Sequence, residues 1–329
     1  MEWLKDFGVV DFGYFEDSIP ASKENFTSWI KKDHHLPLSY LGDERFSKRL
    51  DLKNYWSEFE SALVFLFSYN DSHRILDDLY QNNSDWNGLK IAPYTLGFEG
   101  MDYHHELRNR LMSIGERLKE TYKLEYKITL DTHPVLERDM AFKAGLGWFG
   151  KNSMLIHRKE GSFLLIGSLL LNKKIKINLK KIESDHCGQC TLCVQHCPTN
   201  AIDAETRTII AKDCISTFTI EQFKLETIPS EKMDLSSGFI FGCDICQVVC
   251  PWNNRIERMK SELNHKIELK NKALFLAEFF LLRPIHEIHE KITKMSLSQF
   301  KNTFAGTSFE RSGKRGILKN LNFYLKNKL

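Results

Sequence analysis

DHCGQCTLCVQHCPTNAI, residues 185–202, sets cysteines at 187, 190, 193 and 197 and follows the last with proline. The 329-residue chain has eight cysteines, none before Cys187 and none after Cys250. Such crowding fits neither a disulfide framework nor thiols scattered through a core, and it predicts metal ligation.

CGQCTLCVQHCP is the run Cys-x2-Cys-x2-Cys-x3-Cys-Pro of two-cluster bacterial ferredoxins, in which the fourth cysteine ligates the other cluster. Farther on, Cys243-Asp-Ile-Cys246-Gln-Val-Val-Cys250-Pro251 repeats the tail of that pattern one cysteine short, and Cys214 supplies the missing thiolate. The count then closes. Cys187, Cys190, Cys193 and Cys250 hold one [4Fe–4S] cluster, and Cys197, Cys214, Cys243 and Cys246 hold the second. A three-residue gap before a fixed-φ proline turns the last thiolate of each run away from its neighbours. Zinc also suits CxxC pairs, but it explains the triple-cysteine run and the two complementary gaps poorly. Two clusters held in this way make a short electron wire. The residues that precede it are the natural place for a second redox cofactor at its terminus, and no Rossmann fingerprint names that cofactor as a dinucleotide.

The rest of the composition is that of a folded protein: 42% hydrophobic and 27% charged residues argue against disorder of the whole. No apolar run reaches the 18 or so residues of a membrane span, and MEWLKDFGVVDFGYF lacks a signal-peptide layout, so a cytoplasmic protein with no membrane partner is expected. A net charge of +3 identifies no nucleic-acid partner by itself. Its distribution says more: LNKKIKINLKKI (171–182) carries five lysines and no acid, and residues 301–329 carry seven Lys/Arg against Glu310. Taken alone, either stretch is explained as a solvated face or tail.

Along the chain, residues 1–60 read as helices and loops, SALVFLFSYN (61–70) as a buried strand, and YQNNSDWNGLK (80–90) as loop. IAPYTLGFEG (91–100) reads as a strand broken by Pro93 and glycines. A helix follows from DYHHELRN, with Leu107, Leu111, Ile114 and Leu118 on one stripe. KLEYKITLDT is a strand that delivers Asp131, and Pro134 falls in the first turn of the next helix, with Leu136, Met140 and Ala144 buried. NSMLIHRKEGSFLLIGSLLLN predicts a β-hairpin around Lys159–Ser162. The fold class is α+β and sandwich-like: a cofactor domain with a central sheet and flanking helices (1–182), a ferredoxin-like two-cluster domain (183–255) and a helical C-terminal segment (256–329).

Two features of the first domain bear on chemistry. Gly145 to Asn152, GLGWFGKN, comes within one residue of a Walker A loop, but it follows a helix where a P-loop follows a strand. It is either a helix stop or a turn that lets backbone approach a large flat ligand. Asp131 is either the N-cap of the following helix or an acid, and an acid working near pH 7 needs its pKa raised by burial. His104, His105 and His133 are alternative acids or ligands.

DTHPVLERDMAFKAGLGWFGKNSMLI, DHCGQCTLCVQHCPTNAI, CISTFTIE and FGCDICQVVCPWN, in that order, resemble the epoxyqueuosine reductases, cobalamin-dependent iron–sulfur enzymes of tRNA modification. The resemblance runs from FTSWI to FERSGKRGILKNL. It implies reduction of epoxyqueuosine to queuosine at the wobble position of tRNA by Co(I) cobalamin, bound by the first domain and fed with electrons through both clusters.

Carried over residue by residue, the resemblance makes Asp131 the proton donor and the eight cysteines the cluster ligands. Arg49 matches an arginine near the corrinoid, and Asn152, Met154 and Ser216 fall in segments lining its pocket. It implies as partners a tRNA anticodon stem-loop, met by the basic stretches and the C-terminal segment, and a flavodoxin or ferredoxin as electron donor, with the chain a monomer. Pro93 stands where the family pattern has arginine, and the chain ends near 329, so a HEAT-like extension is expected to be absent or reduced. The competing readings are another corrinoid iron–sulfur reductase and a non-catalytic electron-transfer or nucleic-acid-binding protein.

Overall fold

In the computed structural model, which describes residues 1–255 and 268–328, the runs SALVFLFS and LLIGSLLL become the two inner strands of an antiparallel sheet. In chain order the strands are β1 (Asp11–Phe15), β2 (Ser61–Ser68), β3 (Lys90–Ile91), β4 (Tyr126–Thr129), β5 (Trp148–Phe149), β6 (Leu155–Ile156), β7 (Leu164–Leu171), β8 (Ile202–Asp203), β9 (Thr208–Ile209) and β10 (Phe239–Phe241). The main sheet runs β1-β2-β7-β4, every pair antiparallel, with Ser61 opposite Leu171 and Ser68 opposite Leu164.

Alternation along β2 sends Leu63, Phe65 and Phe67 to one face and Ala62, Val64 and Leu66 to the other, and both faces are covered. On the first, helix Tyr103–Tyr122 lays down the stripe Leu107, Leu111, Ile114 and Leu118, all buried. Each such side chain stabilises the fold by about 1.5–3 kcal/mol. Gly115 permits the close approach: a Cβ there would stand 2.3 Å from the Tyr126 ring. On the second face, Met140 and Ala141 of helix Glu137–Lys143 and its C-cap Ala144 pack with Leu52 and Phe59.

A third core gathers helices Asn271–Phe280, Ile285–Lys294, Leu297–Thr303 and Ser308–Lys328 around Phe279, Phe280, Phe304 and Phe309. It takes in Ile215, Phe218 and Phe241 from the cysteine-bearing region and Leu76 and Ile91 from the first half. The parallel pair β3–β10 joins the same segments through the backbone. Residues 256–267, assigned from sequence to the C-terminal segment, lie outside the described residues.

The mixed α and β architecture agrees with the fold class read from sequence, and several local expectations are corrected. β1 lies in the stretch expected to be helices and loops; its Gly13 lets the strand pass Ala144, whose carbonyl oxygen would be 2.1 Å from a Cβ. Helix Asn70–Asn82 begins inside the expected strand and reaches into the expected loop. Of the strand expected over 91–100 only Lys90–Ile91 forms, and residues 93–100 coil in tight turns because Pro93 donates no ladder hydrogen bond. The expected hairpin shrinks to the bridge between His157 and Gly161: β6 pairs with β5, while β7 is taken up between β2 and β4. Among the described residues no helix is long and apolar enough to cross a membrane.

Candidate functional site

Asp131 follows the end of β4 in a turn closed by His133 N–H on the Leu130 carbonyl. The next helix starts at Glu137 with Leu136 at its N-cap, so Pro134 precedes it and Asp131 is not its cap. The carboxylate instead meets the first turn of helix Tyr103–Tyr122. The Tyr103 hydroxyl donates to Asp131 Oδ2. His104 Nε2 stands 2.7 Å from Asp131 Oδ1, a close ion pair rather than an aligned hydrogen bond. His104 Nδ1 lies 2.5 Å from Oδ1 of Asp102, the residue that caps this helix. The Tyr103 and His104 rings stack with centroids 4.1 Å apart.

Crowding by protein atoms pushes the Asp131 carboxyl up, but His104, the Tyr103 hydroxyl and the Arg311 charge outweigh it and hold the group below its ordinary value. The raised pKa that an acid working near pH 7 needs is therefore not supplied by burial here. Burial also works against the His104 cation, yet the two flanking carboxylates raise it to about 9. The exchangeable proton of the pair rests on the imidazole. Beside them, burial and then the Asp131 charge push Glu137 well above the usual carboxylate range, and its Oε1 has no hydrogen-bond partner. Sequence reading missed Glu137, because nothing in ERDMAFK separates it from an ordinary first-turn acid.

Asp131 opens onto a cleft of about 390 Å³. Phe26, Trp29, Leu41, Val135 and Phe149 give it apolar walls, and Thr206 to Ile209 of the β8–β9 turn close it from the cysteine-bearing side. Arg49 lines the cleft; it is 5% exposed, and its Nη1 has no partner. An apolar slot with an orphaned donor at its wall fits a flat ligand edged with amide or carboxylate oxygens, as a corrin is.

The cysteines divide into two sets. Cys187, Cys190, Cys193 and Cys250 line one cavity of about 130 Å³. Cys193 interacts through charge with Cys250, Cys187 and Cys190, while Cys246 does so with Cys243, Cys214 and Cys197. Burial and the neighbouring thiols push Cys193 and Cys246 up, so such sets ionise together only against a positive group. Among the described residues no three His, Cys, Asp or Glu side chains gather as ligands of a single ion. Four thiols around a shared cavity are a donor set suited to a polynuclear cluster.

The glycine turn serves both sets. Lys151 Nζ donates to the carbonyls of Gly188 (2.8 Å) and Cys190 (2.9 Å), and Asn152 Nδ2 donates to the Cys246 carbonyl (3.1 Å). Gly147 bends at φ 149, where a Cβ would stand 2.2 Å from the Ile156 carbonyl oxygen. Asn152 thus lines the cysteine cavity, and the next residue, Ser153, lines the cleft of Arg49 and Asp131. Met154 closes the same turn by accepting from Gly150 N–H, and Ser216 begins a π-helical turn two residues after Cys214. His133 lines the cleft, whereas exposed His105 faces a separate surface hollow.

Two family models match: a 4Fe-4S double cluster binding domain over residues 186–253, and epoxyqueuosine reductase QueG, DUF1730, over residues 49–132. The epoxyqueuosine reductase of Cyclobacterium marinum is 31% identical over 317 residues, which is 96% of this chain and 91% of that protein. That of Pseudomonas aeruginosa is 35% identical over 322 residues, 97% of this chain and 82% of its own. The fold matches the structure of epoxyqueuosine reductase from Streptococcus thermophilus with a TM-score of 0.79 at 21% identity, over 99% of this chain and 80% of that one. A crystal structure of epoxyqueuosine reductase with an epoxyqueuosine-modified tRNA-Tyr stem loop matches with a TM-score of 0.73 at 23% identity, with the same coverage.

Proposed function

The chain belongs to the epoxyqueuosine reductase family, and on that premise we propose that it reduces epoxyqueuosine at the wobble position of tRNA to queuosine, with cobalamin in the Asp131 cleft and [4Fe–4S] clusters in the two cysteine sets. The observation that carries this reading is the shared cleft, lined by Asp131 and Arg49 together with the β8–β9 turn of the cysteine-bearing region.

The net reaction takes up two electrons and two protons, breaks both C–O bonds of the epoxide, forms the C=C bond and releases the oxygen as water. Cobalamin, when bound, supplies a low-potential nucleophilic metal, held by Arg49 and the apolar walls. Asp131 stands where a proton is needed, because an alkoxide leaves poorly from a site closed to water. In the open cleft Asp131 is ionised and His104 carries the proton. Shutting water out makes a separated charge pair costly, which favours the neutral imidazole and carboxylic acid. Asp131 then passes to the departing oxygen the proton it has taken from His104, which Asp102 steadies, and a second proton, taken up by His104 from solvent, follows the same route so that the oxygen leaves as water. Tyr103 orients the carboxylate through Oδ2.

Lys151 and Asn152 hold the two cysteine sets in one bracket, which supports electron passage between them. A low-potential flavodoxin or ferredoxin is the proposed donor. The test is a nucleoside digest of tRNA from a strain lacking this chain, in which epoxyqueuosine accumulates, together with conversion by the purified protein given cobalamin and a low-potential reductant. Queuosine at normal levels in that strain overturns the proposal.

A further inference from the structure

The C-terminal helix Ser308–Lys328 carries two consecutive polar residues that are almost wholly buried, Lys319 at 5% and Asn320 at 0% exposure. Neither lines the Asp131 cleft. Lys319 Nζ lies 3.7 Å from the centre of the Phe218 ring and donates to the carbonyls of Phe218 and Gln222. Asn320 Nδ2 donates to the carbonyls of Thr219 and Ile240, each at 2.8 Å. Thr219 completes the stitch: its hydroxyl donates to the Ile215 carbonyl at 2.8 Å and accepts from Gly242 N–H at 3.0 Å.

All of these backbone groups belong to two short stretches. One is the π-helical turn Thr217–Glu221 with its flanks, entered straight from Cys214. The other is β10 and Gly242, which lead straight into Cys243. A π turn is a wide, poorly self-supported geometry that persists where its surroundings hold it. Here the surroundings are two side chains delivered from about a hundred residues away in sequence.

We propose that Lys319 and Asn320 are positioning residues for one of the two cysteine sets: they fix the backbone that presents Cys214 and Cys243, and so set the retention of that cluster alone. The inference rests on the two-cluster reading above. The set of Cys187, Cys190, Cys193 and Cys250 is tied instead through Lys151, and the hydrogen bonds of Lys319 and Asn320 go to Phe218, Gln222, Thr219 and Ile240.

The experiment is the iron content per folded chain, with the low-temperature EPR of the reduced protein, for wild type, Lys319→Met, Asn320→Asp, Lys319→Arg and Leu321→Ala. Wild type is expected to hold about eight irons, as two [4Fe–4S] clusters require. Lys319→Met and Asn320→Asp fall to about half and keep one cluster signal. Lys319→Arg, which keeps its donors, retains both clusters. Leu321→Ala, in the same helix and core but outside the stitch, lowers the melting temperature without lowering the iron count. Full iron in both Lys319→Met and Asn320→Asp overturns the proposal, as does parallel loss of both clusters in step with the melting temperature across all variants. A wild type with fewer than two clusters overturns the two-cluster reading and this inference with it.

Discussion

Asp102 and Asp131 stand on opposite sides of one imidazole, 2.5 Å from His104 Nδ1 and 2.7 Å from His104 Nε2. A histidine between two carboxylates becomes a proton store: its affinity rises from the ordinary 6.5 to about 9.

The sign of the pH dependence follows. A folded-state pKa above the unfolded one gives stability that is complete below pH 6.5 and is lost as pH rises through about 9. Turnover should decline over the same upper limb as the store empties. His104→Gln should remove that limb from the kcat/KM profile and lower the neutral rate by about 10²-fold. Asp131→Asn should keep its iron while losing about 10²- to 10⁴-fold in turnover. A His104→Gln profile that keeps its alkaline limb would show that the proton comes from elsewhere.

Glu137 is the counterpart case. Its carboxyl titrates well above 4.5 in the folded chain, so the stability that it contributes is present at acid pH and drains away as pH rises through the shifted value. Glu137→Gln keeps the shape and removes the cost of ionisation. The variant should match wild type near pH 4.5 and exceed it at pH 8 by on the order of 1 kcal/mol, read from denaturant melts at the two pH values.

The division of the cysteines predicts a pattern of double substitutions. Cys187→Ala and Cys250→Ala should each remove about four irons, and together no more than either alone. Cys187→Ala combined with Cys197→Ala should remove both clusters. Iron analysis with EPR separates this from pairing by order along the chain, under which Cys187 and Cys197 would belong together.

Gly147→Ala places a methyl group against the Ile156 carbonyl in a backbone conformation that favours glycine. A loss of about 2–3 kcal/mol is expected, with easier loss of iron from both sets, since the adjoining Lys151 and Asn152 reach one set each. Chelation kinetics at fixed temperature give the measurement.

Spacing made the grouping of the cysteines legible, because thiols in short runs are brought together by chain geometry more than by distant packing. The stripe on helix Tyr103–Tyr122 and strand β2 were legible for a related reason: their periods are strong over many residues. β1 was hidden since DFGYF is short, and its Gly13 answers to Ala144 far along the chain. The protonation of Asp131 was not legible in sequence because the opposing charge of His104 depends on a contact across 27 positions. The near-Walker turn resolves into a bracket for the cysteine sets, a role set by residues more than 30 positions downstream.

The core shared by Ile215, Phe218 and Phe241 with Phe279, Phe280, Phe304 and Phe309 has a consequence for biogenesis. The thiols of Cys214, Cys243 and Cys246 are synthesised before the helices that complete the core beside them. Their final surroundings therefore assemble only once Phe279, Phe280, Phe304 and Phe309 have been added to the chain.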